Sequence, residues 1–525
     1  MSEYYEIQPR YLVVSKLFLL GIGLVALLLI RSIWSWSQIP NLTLGLMIIT
    51  LVLGIIGLEY ALVWFVFLTP LLASLPLLLE IPNFYLIEVV FLAVILVWVV
   101  RLILRKRIKF VKTSLDIPLG IFLLLVLISC GVTLIRINQL FSSFLAGNLG
   151  AALQKIFLLD KTTNLANFYT LRYALTILEG ILVYFFLVNT IRSKDFLRKV
   201  IAAMIAGSTV VVSYGIFQYL TRFHLLEYWV KQDPNLTRIN ATFQDPNSLG
   251  SYLVLGIFLT GGLFLGEGRW KRLFLGCLMV GLGLCLVFTA SRGAWASLVL
   301  ILVVMIILFS REKMGIFFKR EFSRGRGKKI MVAVLIFSLV VIVTLVLLAS
   351  KTELEVGKRG SYHNVLLSMF KFSNLVDKEL DSRMFHFWRP GWWMVKDHPV
   401  FGVGIGSYYW LLWIYLDFPP DKRIYENAHN YFLQIWAELG TVGLVCFLLI
   451  LVIVFRRGIQ LLTRVKERYW RFVVLGLVGG IAGFLLTHLT SHAMVLLEMQ
   501  FIFWSFVALI FVISHLTKAP RIKKS

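Results

Sequence analysis

A chain of 525 residues that is 59% hydrophobic and only 15% charged carries too little charge for a soluble globular protein of this size. Its formal net charge of +25 could suggest a nucleic-acid partner. Most of the Lys and Arg, however, sit in short segments between apolar runs, at 101–112, 192–199, 269–272, 311–329, 456–471 and 518–524. That distribution marks cytoplasmic loops next to anionic lipid headgroups, and it argues against nucleic-acid binding.

In chain order the apolar runs predict about fourteen spans, each long enough to cross ~30 Å of hydrocarbon. They fall at 12–30, 41–57, 60–79, 84–100, 117–135, 166–190, 200–220, 248–266, 273–290, 294–310, 330–349, 430–455, 472–490 and 497–515. The runs are continuous rather than alternating, so they read as helices and not as a β-barrel. The expected class is an all-α polytopic membrane protein with about 12–14 transmembrane helices. No small-residue cleavage site follows the first run, which is expected to stay as a helix. Runs 41–57 and 60–79 are separated only by Leu58 and Glu59 and predict a tight hairpin or one broken element.

Threading the basic segments inside puts both termini in the cytoplasm of a plasma-membrane (inner-membrane) protein and leaves 136–165, 221–247, 289–293 and 351–428 outside. The organisation expected is N-terminal transmembrane helices over 1–220, central helices over 221–350, an extracytoplasmic loop over 351–428 and C-terminal helices over 429–525. The 351–428 loop is nearly neutral and rich in Trp and Tyr, among them Trp388, Trp392, Trp393, Tyr408 and Trp410. It predicts short amphipathic helices on the bilayer surface. Cys130, Cys277, Cys285 and Cys446 all fall in apolar runs without metal-site spacing and read as small core residues.

Four outer segments carry candidate chemistry. His429 stands where the polar loop meets an apolar helix, at a depth where an imidazole could take a proton from a headgroup-borne substrate. A histidine capping that helix is the plain alternative. Arg292, in the Thr289–Gly293 link between two apolar runs, offers a planar donor fork suited to phosphate, against the alternative of an arginine snorkelling to the headgroups. Arg383, with Arg389 close behind it, could bind an anion or pair with Asp381 or Asp377. Downstream, Gly402-x-Gly404-x-Gly406 matches no nucleotide fingerprint and predicts a tight turn or close backbone approach. In Arg238–Ser248, Asn247 or Ser248 is the expected cap of the following helix. Glu88, Arg172 and Glu179 are intramembrane ionisable groups, and Arg172 and Glu179 share a helix face as a candidate ion pair. No Asp-x-Asp pair and no His/Cys/Glu cluster with ligand spacing implies a metal, and no cofactor motif is present.

Taken in order, Thr242-Phe243 with Pro246-Asn247, Thr289-Ala290-Ser291-Arg292-Gly293, Ser382-Arg383, Asp397-His398-Pro399 before the three glycines, and His429-Asn430 ahead of Glu438-x-Gly440-x-x-Gly443 resemble the O-antigen ligase and O-antigen polymerase superfamily of bacterial envelope glycosyltransferases. The resemblance covers roughly residues 238–445. It implies a GT-C type helical fold and a glycan donor carried on undecaprenyl pyrophosphate. It also implies that Arg292 and Arg383 hold the pyrophosphate and that His429 activates an acceptor hydroxyl without a metal. Arg389 competes with Arg383 for its role, while Arg238, Asn247 and Asn430 are further candidates for substrate contact. The inner loop 311–329 is longer and more basic than the resemblance leads one to expect. The acceptor is open: lipid A-core or another surface acceptor for a ligase, a second repeat unit for a polymerase, or a protein. A transporter or flippase is the reading from another class.

Overall fold

The computed structural model describes residues 4–6, 15–17, 19–21, 23, 40–73, 86–105, 108–139, 165–221, 238–310, 384–416 and 426–517. It is an all-α polytopic membrane protein. Among the described residues nine helices are long and apolar enough to cross a membrane. In chain order the helices are α1 (Pro40–Ile56), α2 (Leu58–Leu68), α3 (Leu86–Ile103), α4 (Asp116–Ile137), α5 (Leu165–Thr190), α6 (Lys194–Thr221) and α7 (Pro246–Gly266). There follow α8 (Arg269–Phe288), α9 (Arg292–Ser310), α10 (Arg389–Asp397), α11 (Ser407–Tyr415), α12 (Tyr431–Arg464), α13 (Arg468–Thr487) and α14 (Leu497–Leu516). A short ribbon pairs β1 (Tyr4–Glu6) antiparallel with β2 (Lys109–Val111), Tyr5 opposite Phe110.

Most helix limits fall within a few residues of the apolar runs. Within the described part of the 60–79 run, α2 stops at Leu68 with Pro70 just beyond its cap. The 330–349 run and most of 12–30 lie outside the described residues. Cys130 and Cys285 are buried as expected, but Cys277 is exposed on the face of α8.

Two close helix pairs hold the bundle. Along α13, Gly476, Gly479, Gly480 and Gly483 face Phe258, Leu255 and Val254 of α7, and a Cβ on Gly476 would sit 2.5 Å from the Phe258 carbonyl oxygen. With no hydrophobic drive between helices in lipid, such small-residue seams supply stability through van der Waals contact. On the other side α14 is buried against α5, where Gly180 accepts Trp504 and Gln500.

Next to that pair lies a buried ion pair of unexpected partnership. Arg172 donates from Nη1 to both carboxylate oxygens of Glu88, at 2.9 and 3.0 Å. The pairing expected from Arg172 and Glu179 is thereby corrected: the nearer carboxylate comes from α3, not from the guanidinium's own helix. Glu88, Glu179 and Glu498 are all buried in this region.

Charge is sorted between the two ends of the bundle. At one end β2 meets Asn189, whose Oδ1 accepts the Val111 N–H at 2.8 Å. Lys194 pairs there with Glu467, and Arg198 lies over the rings of Tyr469 and Trp470 at 5.4 and 5.6 Å. The opposite end collects the turns 289–291, 426–430 and 488–496 together with segment 238–245.

Candidate functional site at the polar end of the bundle

Segment 238–245 is clamped before it reaches α7. Gln218, near the end of α6, accepts the Asn240 and Ala241 N–H groups at 3.2 and 2.8 Å and donates to Asn240 Oδ1 at 2.8 Å. The Ile239 N–H donates to the Phe288 carbonyl at 3.1 Å, tying the segment to the end of α8. The helix cap is Asp245, not Asn247 or Ser248: its Oδ1 accepts both of their N–H groups, at 2.8 and 3.1 Å. Pro246 follows as the first helical residue, where its missing N–H removes no bond.

Freed from capping, Asn247 turns to the neighbouring turn. Its Oδ1 accepts from Arg238 Nη2 and from the Ser291 hydroxyl, both at 3.1 Å. Arg238 Nε also donates to the Thr289 carbonyl at 2.8 Å. Thus the Thr242–Asn247 element and the Thr289–Gly293 element, far apart in the chain, form one hydrogen-bonded unit. Ala290 carries the bend at φ 48°. Arg292 is the first residue of α9 rather than part of the turn. A cation at a helix N-terminus opposes the macrodipole and destabilises the helix slightly. Two arginines beside a helix N-terminus do, however, suit an anion.

His429 lies at φ 47°, just before the cap of α12. Its N–H donates to Asn427 Oδ1 at 3.0 Å, and Asn430 Oδ1 accepts the Leu433 N–H at 3.1 Å as the cap proper. The imidazole is sandwiched: Phe387 approaches with ring centroids 4.8 Å apart, and His492 stands perpendicular at 4.7 Å. The two Nδ1 atoms are 3.2 Å apart, so one ring presents N–H and the other its lone pair. Nε2 faces Glu426 Oε1 at 3.9 Å, and the His429 side chain keeps 18% of its surface exposed.

The turn after α13 joins these parts. The His488 carbonyl accepts the Tyr431 N–H at 2.9 Å, which anchors the start of α12. Thr490 sits against Gly293, and His492 touches His429. Because two residues span at most about 7 Å, the Gly293 backbone and the His429 ring lie within roughly 15–20 Å of each other. Arg292, Arg238 and His429 therefore occupy one end of the bundle. Arg383 lies outside the described residues. Arg389 is exposed at the start of α10, its guanidinium over Phe385 and Trp393 at 5.2 and 4.6 Å. Among the described residues no group of three His, Cys, Asp or Glu could hold a metal ion.

The three-glycine motif explains how α12 is held. Gly440, at φ 66°, breaks the helix into two halves. The first half ends with the Ala437 and Glu438 carbonyls, which accept the Val403 and Gly404 N–H groups at 2.8 and 3.0 Å. The second half starts with Thr441 and Val442, whose N–H groups donate to the Pro399 and Val400 carbonyls at 2.9 and 3.2 Å. Residues 399–404 thus satisfy the orphan groups of both helix ends at once. Gly402, Gly404 and Gly406 all have positive φ, and a Cβ on Gly402 would lie 2.6 Å from the Ala437 oxygen. The buried Glu438 receives the Tyr408 N–H at 3.2 Å and Gln434 Nε2 at 3.3 Å, which fixes α11 to the same junction.

The class is thus a multi-span helical membrane protein that groups arginines, a helix N-terminus and a partly exposed imidazole at one polar end. Comparison with known families makes this particular. Residues 277–448 match the model of the family described as O-antigen ligase, in line with the resemblance of the motifs to the O-antigen ligase and polymerase superfamily. The match runs from within α8 to Leu448, past the Gly440 break in α12, and includes Arg292, the 399–404 strap and His429. No curated protein matches the chain.

Sequence reasoning singled out His429 but passed over its partners. Nothing in the spacing of His492, Glu426 or Phe387 ties them to His429. Only the fold brings the 488–496 turn under the imidazole.

Proposed function

We propose that the protein transfers a glycan from undecaprenyl pyrophosphate to an acceptor hydroxyl, in the manner of an O-antigen ligase. The observation that carries this reading is the grouping of Arg292 and Arg238 at the N-terminus of α9 with His429 across the 488–492 turn. The basic end of the bundle faces the cytoplasm, and the polar end faces the periplasm or cell exterior. The lipid-linked donor approaches from the outer leaflet, and its pyrophosphate meets the arginines and the α9 N–H groups. Charge growing on the leaving pyrophosphate is then stabilised by groups already in place. Arg383 is assigned to the same pyrophosphate by the resemblance.

His429 donates Nδ1–H to His492 and so presents the Nε2 lone pair. The acceptor oxygen attacks the anomeric carbon as its proton passes to Nε2. The new glycosidic C–O bond forms while the anomeric C–O bond to phosphate breaks, and undecaprenyl pyrophosphate leaves with the electron pair. Attack opposite the leaving group inverts the anomeric centre. Glu426, 3.9 Å from Nε2, stabilises the imidazolium that results.

The test is transfer in proteoliposomes containing an undecaprenyl-linked oligosaccharide and candidate acceptors. His429→Ala abolishes transfer with expression intact, and Arg292→Lys fails as well, since a point charge lacks the fork. Full activity in either variant would reject these roles. Movement of the lipid-linked glycan across the bilayer without bond formation would favour a transporter instead.

A further inference from the structure

A cavity of about 650 Å³ with both polar and apolar walls opens beyond the far end of α10. Its walls come from three elements. Arg136, in the last turn of α4, donates from Nη2 to the Val403 carbonyl and so fixes its planar guanidinium along one side. Asp397 closes α10, and His398 caps it. The third wall is one face of α11, where Trp410 with Ile414 and Leu411 with Tyr415 stand four residues apart on adjoining rows. Asp397 and Tyr415 both line the cavity, so a carboxylate and a phenol share its rim. The indole Nε1 of Trp410 has no acceptor among the described residues.

The volume lies in the ~300–1,000 Å³ range of ligand pockets, which pair apolar walls with a few placed polar groups. An aromatic and aliphatic face opposite a guanidinium, a carboxylate and an imidazole matches a sugar ring. The C–H face of the sugar lies on Trp410 and Tyr415, while its hydroxyls donate to Asp397 and accept from Arg136 and His398. A phosphate is a poorer fit, because Asp397 would repel it. An acyl chain is poorer still, because it would leave Arg136, Asp397 and His398 without polar partners.

We propose that this cavity is a glycan subsite, distant from the reacting ring, for the chain of either the donor or the acceptor. Phe387 touches His429 at one end of the segment that leads into α10, and Asp397 ends that helix. At 1.5 Å per residue the cavity is therefore roughly 15 Å from the imidazole, several sugar rings along an extended oligosaccharide. The assignment rests on the glycan-transfer reading above for its biological meaning, but not for its test.

The probe is the oligosaccharide pool released by mild acid from the lipid-linked glycans of the producing cell, followed by saturation-transfer NMR on the purified full chain. Trp410→Ala and Asp397→Asn are expected to weaken binding at least tenfold, while Trp410→Phe keeps most of it. Trp270→Ala, on an exposed indole elsewhere on the surface, serves as the aromatic control and binds as the wild type does. Thermal melts identify any variant that fails to fold, and in that case Asp397→Asn decides. Kinetics in proteoliposomes then separate the two sources. The Michaelis constant of the donor rises if the donor chain occupies the cavity, and that of the acceptor rises if the acceptor does, with kcat little changed. Wild-type protein that does not bind the pool saturably, or Trp410→Ala and Asp397→Asn variants that bind it as well as the wild type, would overturn the assignment. Binding without transfer would count against the transferase reading and leave the glycan site standing.

Discussion

Replacing Gly440 by alanine tests whether the broken α12 is held as described. The residue sits at φ 66°, and a Cβ there would lie 2.5 Å from the Phe401 nitrogen and closer still to the Val400 carbonyl. A left-handed conformation costs an alanine roughly 1–2 kcal/mol. Relieving the clash pushes the strap 399–404 away from the junction. If two of its four backbone hydrogen bonds are lost, at about 1 kcal/mol each, the total is roughly 3–4 kcal/mol. At 1.4 kcal/mol per tenfold, this corresponds to an increase of about 10²–10³ in local opening. Amide hydrogen exchange by mass spectrometry reads it directly: the Val403 and Gly404 amides exchange faster by that factor, while peptides in the α7–α13 seam stay protected. Wild-type exchange at 403 and 404 in a folded Gly440→Ala variant would refute the argument.

Other predictions address the site and the core. His492→Ala removes the group that orients His429, and the expected loss is ~10–100-fold in kcat with a displaced pH–rate limb. An unchanged profile would show that His492 only packs there. Glu88→Gln strips the Arg172 guanidinium of its carboxylate partner in the interior and is expected to destabilise by about 3–5 kcal/mol, while the paired change Glu88→Leu with Arg172→Met restores much of the thermal midpoint. Burial pushes the His488 imidazole down to about 4, against the Phe484 carbonyl contact that favours its charge. Being neutral when folded, it contributes stability fully above pH ~6.5 and loses it as the pH falls toward 4, by about 3 kcal/mol. His488→Gln should flatten the acid side of a stability-versus-pH curve, and an unaltered curve would exclude His488 as its source.

The spans were legible in the sequence because hydropathy over some twenty residues is a local property, and α3 to α9 follow their apolar runs closely. What the sequence did not reveal depends on contacts between distant segments. Gly440 interrupts an unbroken apolar run, and only its backbone angle marks the break. Asn247 looks as good a cap as Asp245 until Arg238 and Ser291 claim its oxygen. Arg172 has a carboxylate seven residues along its own helix, yet Glu88 on α3 lies nearer. The three glycines were read as a site of close backbone approach, and they are one, but their partner, the α12 junction, could not be named from spacing.

The glycine seam between α7 and α13 has a consequence for how the molecule can move. The segment leading into α7 carries Arg238 and Asn247, and the segment leaving α13 carries Thr490 and His492. Backbone-to-backbone contact makes these two helices a single keel, so in the proposed mechanism the phosphate side and the proton side are mounted on one stiff part. On that proposal, whatever opens to admit a lipid-borne sugar is expected to be other helices or loops sliding past that keel.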